Sequence, residues 1–126
     1  MRILICDDDT LIIEQLQKYI ESYFESNHLK CPELVSFTSG ESLLADKNEK
    51  DIVFLDIEMP GMNGIYVGNE LKKANKNVLI FVVTSYSGNA FSCIPLSFQA
   101  FGQTAFFPKY ERCLNILQFH YYQNSC

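Results

Sequence analysis

"DIVFLDIEMPGMNG", residues 51–64, combines the features that decide the fold of this chain. An apolar run ends abruptly at Asp56, and the next eight residues contain one proline and two glycines. A short apolar run bounded by turn-forming residues is typical of a strand buried on both faces of a parallel sheet. The stretch therefore predicts a strand over residues 51–56 that delivers a carboxylate to a tight loop.

The same alternation of apolar runs and helical patterns continues on both sides of this stretch. It predicts strands over residues 2–6, 33–37, 51–56 and 77–85, with a fifth within 97–107, and helices over 10–24, 41–45, 64–74 and 111–122. In the first helix, we expect an apolar stripe of Ile12, Leu16, Tyr19, Ile20 and Tyr23. "GNAFSCI" (88–94) is interpreted as a short helix ended by Pro95. The alternation favours an α/β fold, a doubly wound five-stranded parallel sheet with helices on both faces.

Length, net charge and cysteine spacing bear on the number of domains, on DNA binding and on membrane contact. The chain has 126 residues, which fits one domain, and its net charge is −5. Because DNA binding draws on cationic side chains, we expect DNA contact only through another domain or protein. Five cysteines without CxxC spacing, no signal peptide and no apolar run of membrane length predict a cytoplasmic protein with no membrane contact.

Polar residues stand where the predicted strands end. Asp7 and Asp8 follow the first strand, Asp56 ends the third, and Thr84 ends the fourth. The carboxyl ends of parallel strands meet at one edge of a sheet, and neighbouring carboxylates there repel one another. A hard cation with oxygen ligands, Mg²⁺, would neutralise them. A carboxylate beside such a metal can attack phosphorus, although an aspartate after a strand is also a common helix cap.

Together, "ILICDDD", "DIVFLDIEMPGMNGI" and the run ending "FVVTS" resemble the receiver domain of two-component response regulators. The likeness covers residues 1–87 well, and the wording "LDIEMPGMNG" is similar to the subgroup with LytTR-type DNA-binding output domains. It implies a flavodoxin-like, three-layer α/β/α fold. It also implies that residues 1–126 form the phosphoacceptor domain, and that the chain is either a stand-alone receiver or truncated before an output domain.

The resemblance implies a role for each matching residue. Asp56 would accept phosphate from the phosphohistidine of a sensor histidine kinase, and Asp7 and Asp8 would hold Mg²⁺ directly or through water. The backbone carbonyl of Glu58 would face the metal, and the Thr84 hydroxyl would contact the phosphoryl group. Such a switch would bias a partner or output surface, for transcription control, without being a turnover enzyme.

The last third of the chain departs from the family pattern. Receivers place a Lys–Pro pair at the end of strand five, but "QAFGQTAFFPKYERC" (99–113) contains none. Either Lys109 reaches back into the site from a longer loop, or the site cation is missing and Lys109 is a solvated lysine. Losing that charge would weaken the activated state without preventing Mg²⁺ binding.

Two further residues are placed by spacing within the resemblance. Phe101 takes the position of the aromatic residue that moves together with the threonine hydroxyl, or it is a core residue of its strand. Asp9 falls where many members carry an extra acid, and we interpret it as a helix cap. Aromatic residues near the chain end could cover a second copy in a homodimer or a neighbouring domain.

Two other functions compete with the phosphorylation switch. A degenerate receiver that binds proteins without phosphorylation is favoured by the absent Lys–Pro pair. A Mg²⁺-dependent phosphatase of the haloacid-dehalogenase type would also use an aspartyl phosphate, but its motif requires a threonine or valine where this chain has Leu11.

Overall fold

The computed structural model describes residues 1–56, 59–86 and 90–95, with side chains described for 1–56 and 59–82. The strands are β1 (Arg2–Cys6), β2 (Glu33–Phe37), β3 (Ile52–Asp56), β4 (Leu79–Tyr86) and β5 (Ala90–Pro95), and the helices are α1 (Thr10–Ser26), α2 (Gly40–Ala45) and α3 (Gly64–Ala74). The bounds of all elements as far as β4 agree with the prediction to within two residues. No helix in these ranges is long and apolar enough to cross a membrane.

The strands form one sheet in the order β2-β1-β3-β4-β5. β1 pairs in parallel with both β2 and β3, and β3 pairs in parallel with β4. The chain therefore winds outward in both directions from a switch point between β1 and β3. This order confirms the doubly wound, flavodoxin-like α/β fold.

β5 differs from the prediction. Residues 90–95 form a strand antiparallel to β4, with Cys93 opposite Val83, where we expected a short helix within 88–94 and a parallel fifth strand farther along. An isolated helix of that length is marginal, whereas pairing along β4 satisfies the backbone groups of the segment. The segments 97–107 and 111–122 lie outside the described residues.

Apolar side chains form a core on each face of the sheet, because successive residues of a strand point to opposite faces. On one face, α1 packs Ile13, Leu16, Ile20 and Phe24 against sheet residues that include Ile3, Ile5, Phe54 and Phe81. On the other face, α2 and α3 pack Leu43, Val67 and Leu71 against sheet residues that include Leu4, Cys6, Val53 and Leu55. The three layers expected from the sequence are therefore present.

The buried stripe of α1 is rotated relative to the prediction. Leu16 and Ile20 are buried as expected and Tyr23 packs against the same core, but the stripe is completed by Ile13 and Phe24, and Ile12 is only half-buried. Tyr19 is 44% exposed. Because α1 carries apolar residues at adjacent positions, at 12 and 13 and again at 23 and 24, periodicity alone does not fix which one faces the sheet.

Candidate functional site

The carboxylates of Asp7, Asp8 and Asp56 lie together at the carboxyl edge of the sheet. Asp7 and Asp8 directly follow β1, and Asp56 is the last residue of the neighbouring strand β3. One carboxylate oxygen from each residue lies within 4.8 Å of the others. This place is the switch point between β1 and β3, where open α/β sheets bind their ligands.

The turn after β1 gives its three aspartates different surroundings. The Asp7 N–H donates to the Phe37 carbonyl at 3.0 Å, and Asp7 Oδ1 accepts the Asp9 N–H at 2.9 Å. Asp9 Oδ1 accepts the Leu11 N–H at 3.0 Å, so the predicted helix cap is confirmed. Asp7 is 3% exposed, whereas Asp8 is exposed. The adjacent pair thus offers one buried and one solvent-facing carboxylate.

Burial and like charges act on the Asp7 carboxyl. Burial is the largest cause and raises the pKa of Asp7 to about 7; the hydrogen bond from the Asp9 backbone opposes it, and the charges of Asp56 and Asp8 add to the rise. The ionised form of Asp7 is therefore disfavoured by its own surroundings. A divalent cation at this cluster would reverse that balance, since it favours deprotonated carboxylates.

Cys6 lies at the end of β1, immediately before the acidic pair, and is buried. Burial, followed by the charges of Asp7 and Asp56, raises the pKa of the Cys6 thiol to about 12. The thiol therefore stays protonated at neutral pH and is a poor nucleophile. Cys6 serves as a small core residue.

The segment that follows Asp56 is described from residue 59, and residues 59–63 are called the acceptor loop below. Met59 is 8% exposed and anchors one end in the core. Gly61 has φ of 89°, in the left-handed region that glycine adopts without strain. Asn63 Oδ1 accepts the Ile65 N–H at 2.7 Å and begins α3. The loop is thus held at both ends.

The other predicted site residues are placed only in part. The backbone of Asp56 pairs with Val83, so Thr84 lies one residue farther toward the carboxyl edge on β4. Glu58, Phe101 and Lys109 lie outside the described residues, and their roles stay predictions. Met59 in the acceptor loop and Gly40 are two buried residues for which no role was predicted. The only signal at Gly40 was a glycine before a predicted helix.

Fold and site together define a doubly wound α/β protein with a carboxylate cluster at its switch point. Residues 3–104 match the family described as the response regulator receiver domain. The chain therefore belongs to this family of two-component signal-transduction proteins, whose receiver domains act as signalling switches and generally not as turnover enzymes. The haloacid-dehalogenase hypothesis is left without support.

Relatives and solved structures give the extent of the likeness. The chain is 32% identical over 90 residues to the sensory transduction protein LytT of Oceanobacillus iheyensis, across 68% of this chain and 35% of LytT. The response regulator TrrA of Thermotoga maritima, solved in complex with Mg²⁺-BeF, is 25% identical with a TM-score of 0.67, across 94% of this chain and 97% of TrrA. A chain in the complex of the histidine kinase ThkA with TrrA matches at 33% identity and a TM-score of 0.56, across 70% of this chain and 72% of the matched chain. The chain spans only 22% to 36% of the length of the curated relatives it matches.

Proposed function

We propose that this chain is a phosphoacceptor receiver domain in which Asp56 takes a phosphoryl group from a sensor histidine kinase in a Mg²⁺-dependent reaction. The observation that carries the proposal is the convergence of Asp7, Asp8 and Asp56, with oxygen atoms within 4.8 Å of one another, at the switch point of the sheet. Membership of the receiver family supports the same assignment.

The carboxylate cluster fits a magnesium ion. All three side chains offer hard oxygen ligands, and burial, together with the charges of Asp56 and Asp8, raises the pKa of Asp7. Asp7, Asp8 and Asp56 would hold the ion, with the Glu58 carbonyl added by family resemblance. When bound, Mg²⁺ supplies positive charge that stabilises phosphoryl oxygens during transfer. The Mg²⁺-BeF complex of TrrA is consistent with this chemistry.

Each residue of the site then has a defined task. An oxygen of Asp56 forms a bond to phosphorus while the bond from phosphorus to the donor histidine nitrogen breaks, with the nitrogen keeping the electron pair. β3 fixes Asp56 at the sheet edge, and the Asp9 N–H fixes the orientation of the Asp7 carboxylate. We assign to the Thr84 hydroxyl a hydrogen bond to a phosphoryl oxygen.

The partner and the output belong to the same proposal. A sensor histidine kinase is the expected phosphodonor, as suggested by the ThkA–TrrA complex. We propose that residues 1–126 act as the receiver unit in the cytoplasm, and that transcription is controlled through a LytTR-type output domain that contacts DNA. The chain covers only 35% of the sensory transduction protein LytT, so a relative of this kind has length for a further domain, which is consistent with this arrangement. A homodimer formed on activation would fit it.

The second candidate is a degenerate receiver that binds proteins without phosphorylation. One observation favours it, the absence of a Lys–Pro pair in residues 99–113. The lysine of that pair would stabilise the phosphoryl group, and its loss would slow switching. The three converging carboxylates favour the phosphorylated switch instead.

Incubation with Mg²⁺ and acetyl phosphate distinguishes the two. The Asp56 oxygen would displace acetate from phosphorus, and intact-protein mass spectrometry should detect one added phosphoryl group. Asp56→Asn should abolish the adduct, and omission of Mg²⁺ should do the same. Asp51→Asn, which changes an aspartate at the opposite end of β3, is the matched control and should keep it. No adduct with any donor would support the degenerate receiver.

A further inference from the structure

The first residue of α2 lies against α3 and the acceptor loop, which follow Asp56 along the chain. Gly40 is buried, and a Cβ atom added to it would lie 2.7 Å from Cγ2 of Val67 on α3. The same Cβ would lie 3.3 Å from Sδ and 3.4 Å from Cβ of Met62 in the acceptor loop. Only a residue without a side chain lets α2 approach α3 and the loop this closely.

Val67 is poorly able to move aside. It is 0% exposed and packed in the core shared by α2, α3 and the sheet. A β-branched residue in a helix strongly prefers one side-chain rotamer, so the clash cannot be relieved by a simple rotation. A side chain at position 40 would therefore push α3 away from α2. The acceptor loop leads directly into α3, so a shift of α3 displaces the loop as well.

A sulfur contact joins the same region to β1, the strand that Asp7 directly follows. The Cys6 thiol donates to the Ser39 carbonyl at 3.4 Å, and Cys6 Sγ lies 3.7 Å from Met59 Sδ. Cys6 directly precedes Asp7, Met59 is the first described residue after Asp56, and Ser39 directly precedes Gly40. The start of α2 thus contacts β1, which Asp7 directly follows, and the acceptor loop, which comes after Asp56 along the chain.

We propose that Gly40 is a positioning residue: its lack of a side chain sets the place of the acceptor loop and so the Mg²⁺ affinity of the Asp7, Asp8 and Asp56 cluster. This inference rests on the proposed function. Gly40 itself touches no ligand and acts through Met62, Val67 and the Ser39 carbonyl. Helix propensity alone would make Gly40→Ala stabilise α2, because alanine favours a helix over glycine. A disturbed loop in this variant would therefore come from the added side chain and not from a weaker helix.

The test compares Gly40→Ala, Val67→Ala and the double variant. The Mg²⁺ dissociation constant is measured by calorimetric titration, and the backbone amide signals of residues 59–63 are followed by NMR. We expect Gly40→Ala to weaken Mg²⁺ binding roughly tenfold, as changes in the shell around a metal site commonly do, and to shift the loop signals. Val67→Ala removes the clashing methyl group, so the double variant should recover both the affinity and the signals.

Leu71→Ala separates positioning from lost stability. Leu71 lies in the same core but about two turns of helix away from the loop, so this variant should unfold more easily and still bind Mg²⁺ with unchanged affinity. An unchanged dissociation constant in Gly40→Ala would overturn the positioning role while leaving the proposed function intact. If Gly40→Ala does not fold, recovery of folding and Mg²⁺ binding in the double variant supports the inference, and failure to recover overturns it. No Mg²⁺ response in the unaltered chain would overturn both proposals.

Discussion

Asp7 illustrates at the scale of one residue how the proposed function opposes stability. Its carboxyl is 3% exposed and lies with Asp8 and Asp56 in one cluster. An ionised carboxylate in such a place has lost hydration and meets like charges, which is why its pKa rises to about 7. A residue chosen for stability alone would be neutral here, so the carboxyl agrees with the cation-binding role that we propose for Asp7.

Replacing this charge should therefore stabilise the fold. We expect Asp7→Asn to raise the free energy of unfolding by about 2 kcal/mol in Mg²⁺-free buffer at about pH 8, because Asp7 is then ionised in the unaltered protein. Asparagine keeps the Oδ1 atom that accepts the Asp9 N–H. Urea denaturation with and without Mg²⁺ measures the change, and Mg²⁺ should stabilise the unaltered protein but not the variant. The control is Asp8→Asn, at an exposed position, which should change stability little without Mg²⁺; a loss of stability in Asp7→Asn would contradict the argument.

At the scale of elements, the start of α1 separates a structural aspartate from the proposed ligands. Asp9 caps α1 through the Leu11 N–H, and replacing a capping aspartate by alanine typically costs about 1 kcal/mol. We expect Asp9→Ala to lower the free energy of unfolding by that amount and still to form the Asp56 adduct with acetyl phosphate. Asp9→Ser, which keeps a capping oxygen, should recover most of the stability. Loss of the adduct in a folded Asp9→Ala protein would mean that Asp9 belongs to the site.

Elements were predictable where one local signal dominates. The strand β1 has the bounds expected, because it coincides with an apolar run. The helix α3 also has the bounds expected, because a capping asparagine precedes it and lysines occupy its last turn. The rotation of α1 was not predictable, since Ile12 and Ile13 are equally apolar and only contact with the sheet selects one. The antiparallel β5 was missed because its pairing with β4 is a tertiary contact that a window of seven residues does not report.

At the scale of the whole molecule, the parallel topology made the carboxylate cluster predictable, whereas the close contact between α2 and α3 could not be predicted from the sequence. Asp7 and Asp56 are far apart in sequence, but the rule that strand ends share one edge placed them together. The contact of Gly40 with Val67 has no such rule behind it. It depends on the distance between two helices, which is set by every side chain between them.

Charged side chains are arranged differently at the two ends of the sheet. At the end away from the carboxylate cluster, Arg2 Nη1 donates to Asp46 Oδ2 at 3.2 Å and to the Glu49 carbonyl at 2.7 Å. Lys50 Nζ lies 3.3 Å from the same Asp46 oxygen. These contacts join the start of β1 to the segment between α2 and β3. Asp46 is therefore paired with two cations at this end of the sheet, and Asp7, Asp8 and Asp56 are clustered at the other end, where we propose a function.

The sign of the pKa shift at Asp46 fixes how this end responds to acid. Burial of the carboxyl acts to raise its pKa, but hydrogen bonds from Arg2 and Lys50, together with their charges, outweigh burial and lower the pKa below its ordinary value of 3.8. A carboxyl whose pKa is lower in the folded state stabilises the fold at pH values above its unfolded pKa. That stabilisation is lost as the pH falls through the folded pKa.

We therefore expect Asp46→Asn to lower the free energy of unfolding at neutral pH by about 2 kcal/mol, the usual worth of hydrogen bonds to a charged group. The difference between the two proteins should shrink below about pH 5 and vanish once Asp46 is protonated in the folded state. Urea denaturation at a series of pH values measures it. Glu33→Gln is the matched control: Glu33 pairs with the same Arg2 at 3.3 Å, but its side chain is 66% exposed, and an exposed pair contributes at most about 1 kcal/mol. A difference for Asp46→Asn that stays constant down to the acid transition would show that lost packing, and not lost charge, destabilises the variant.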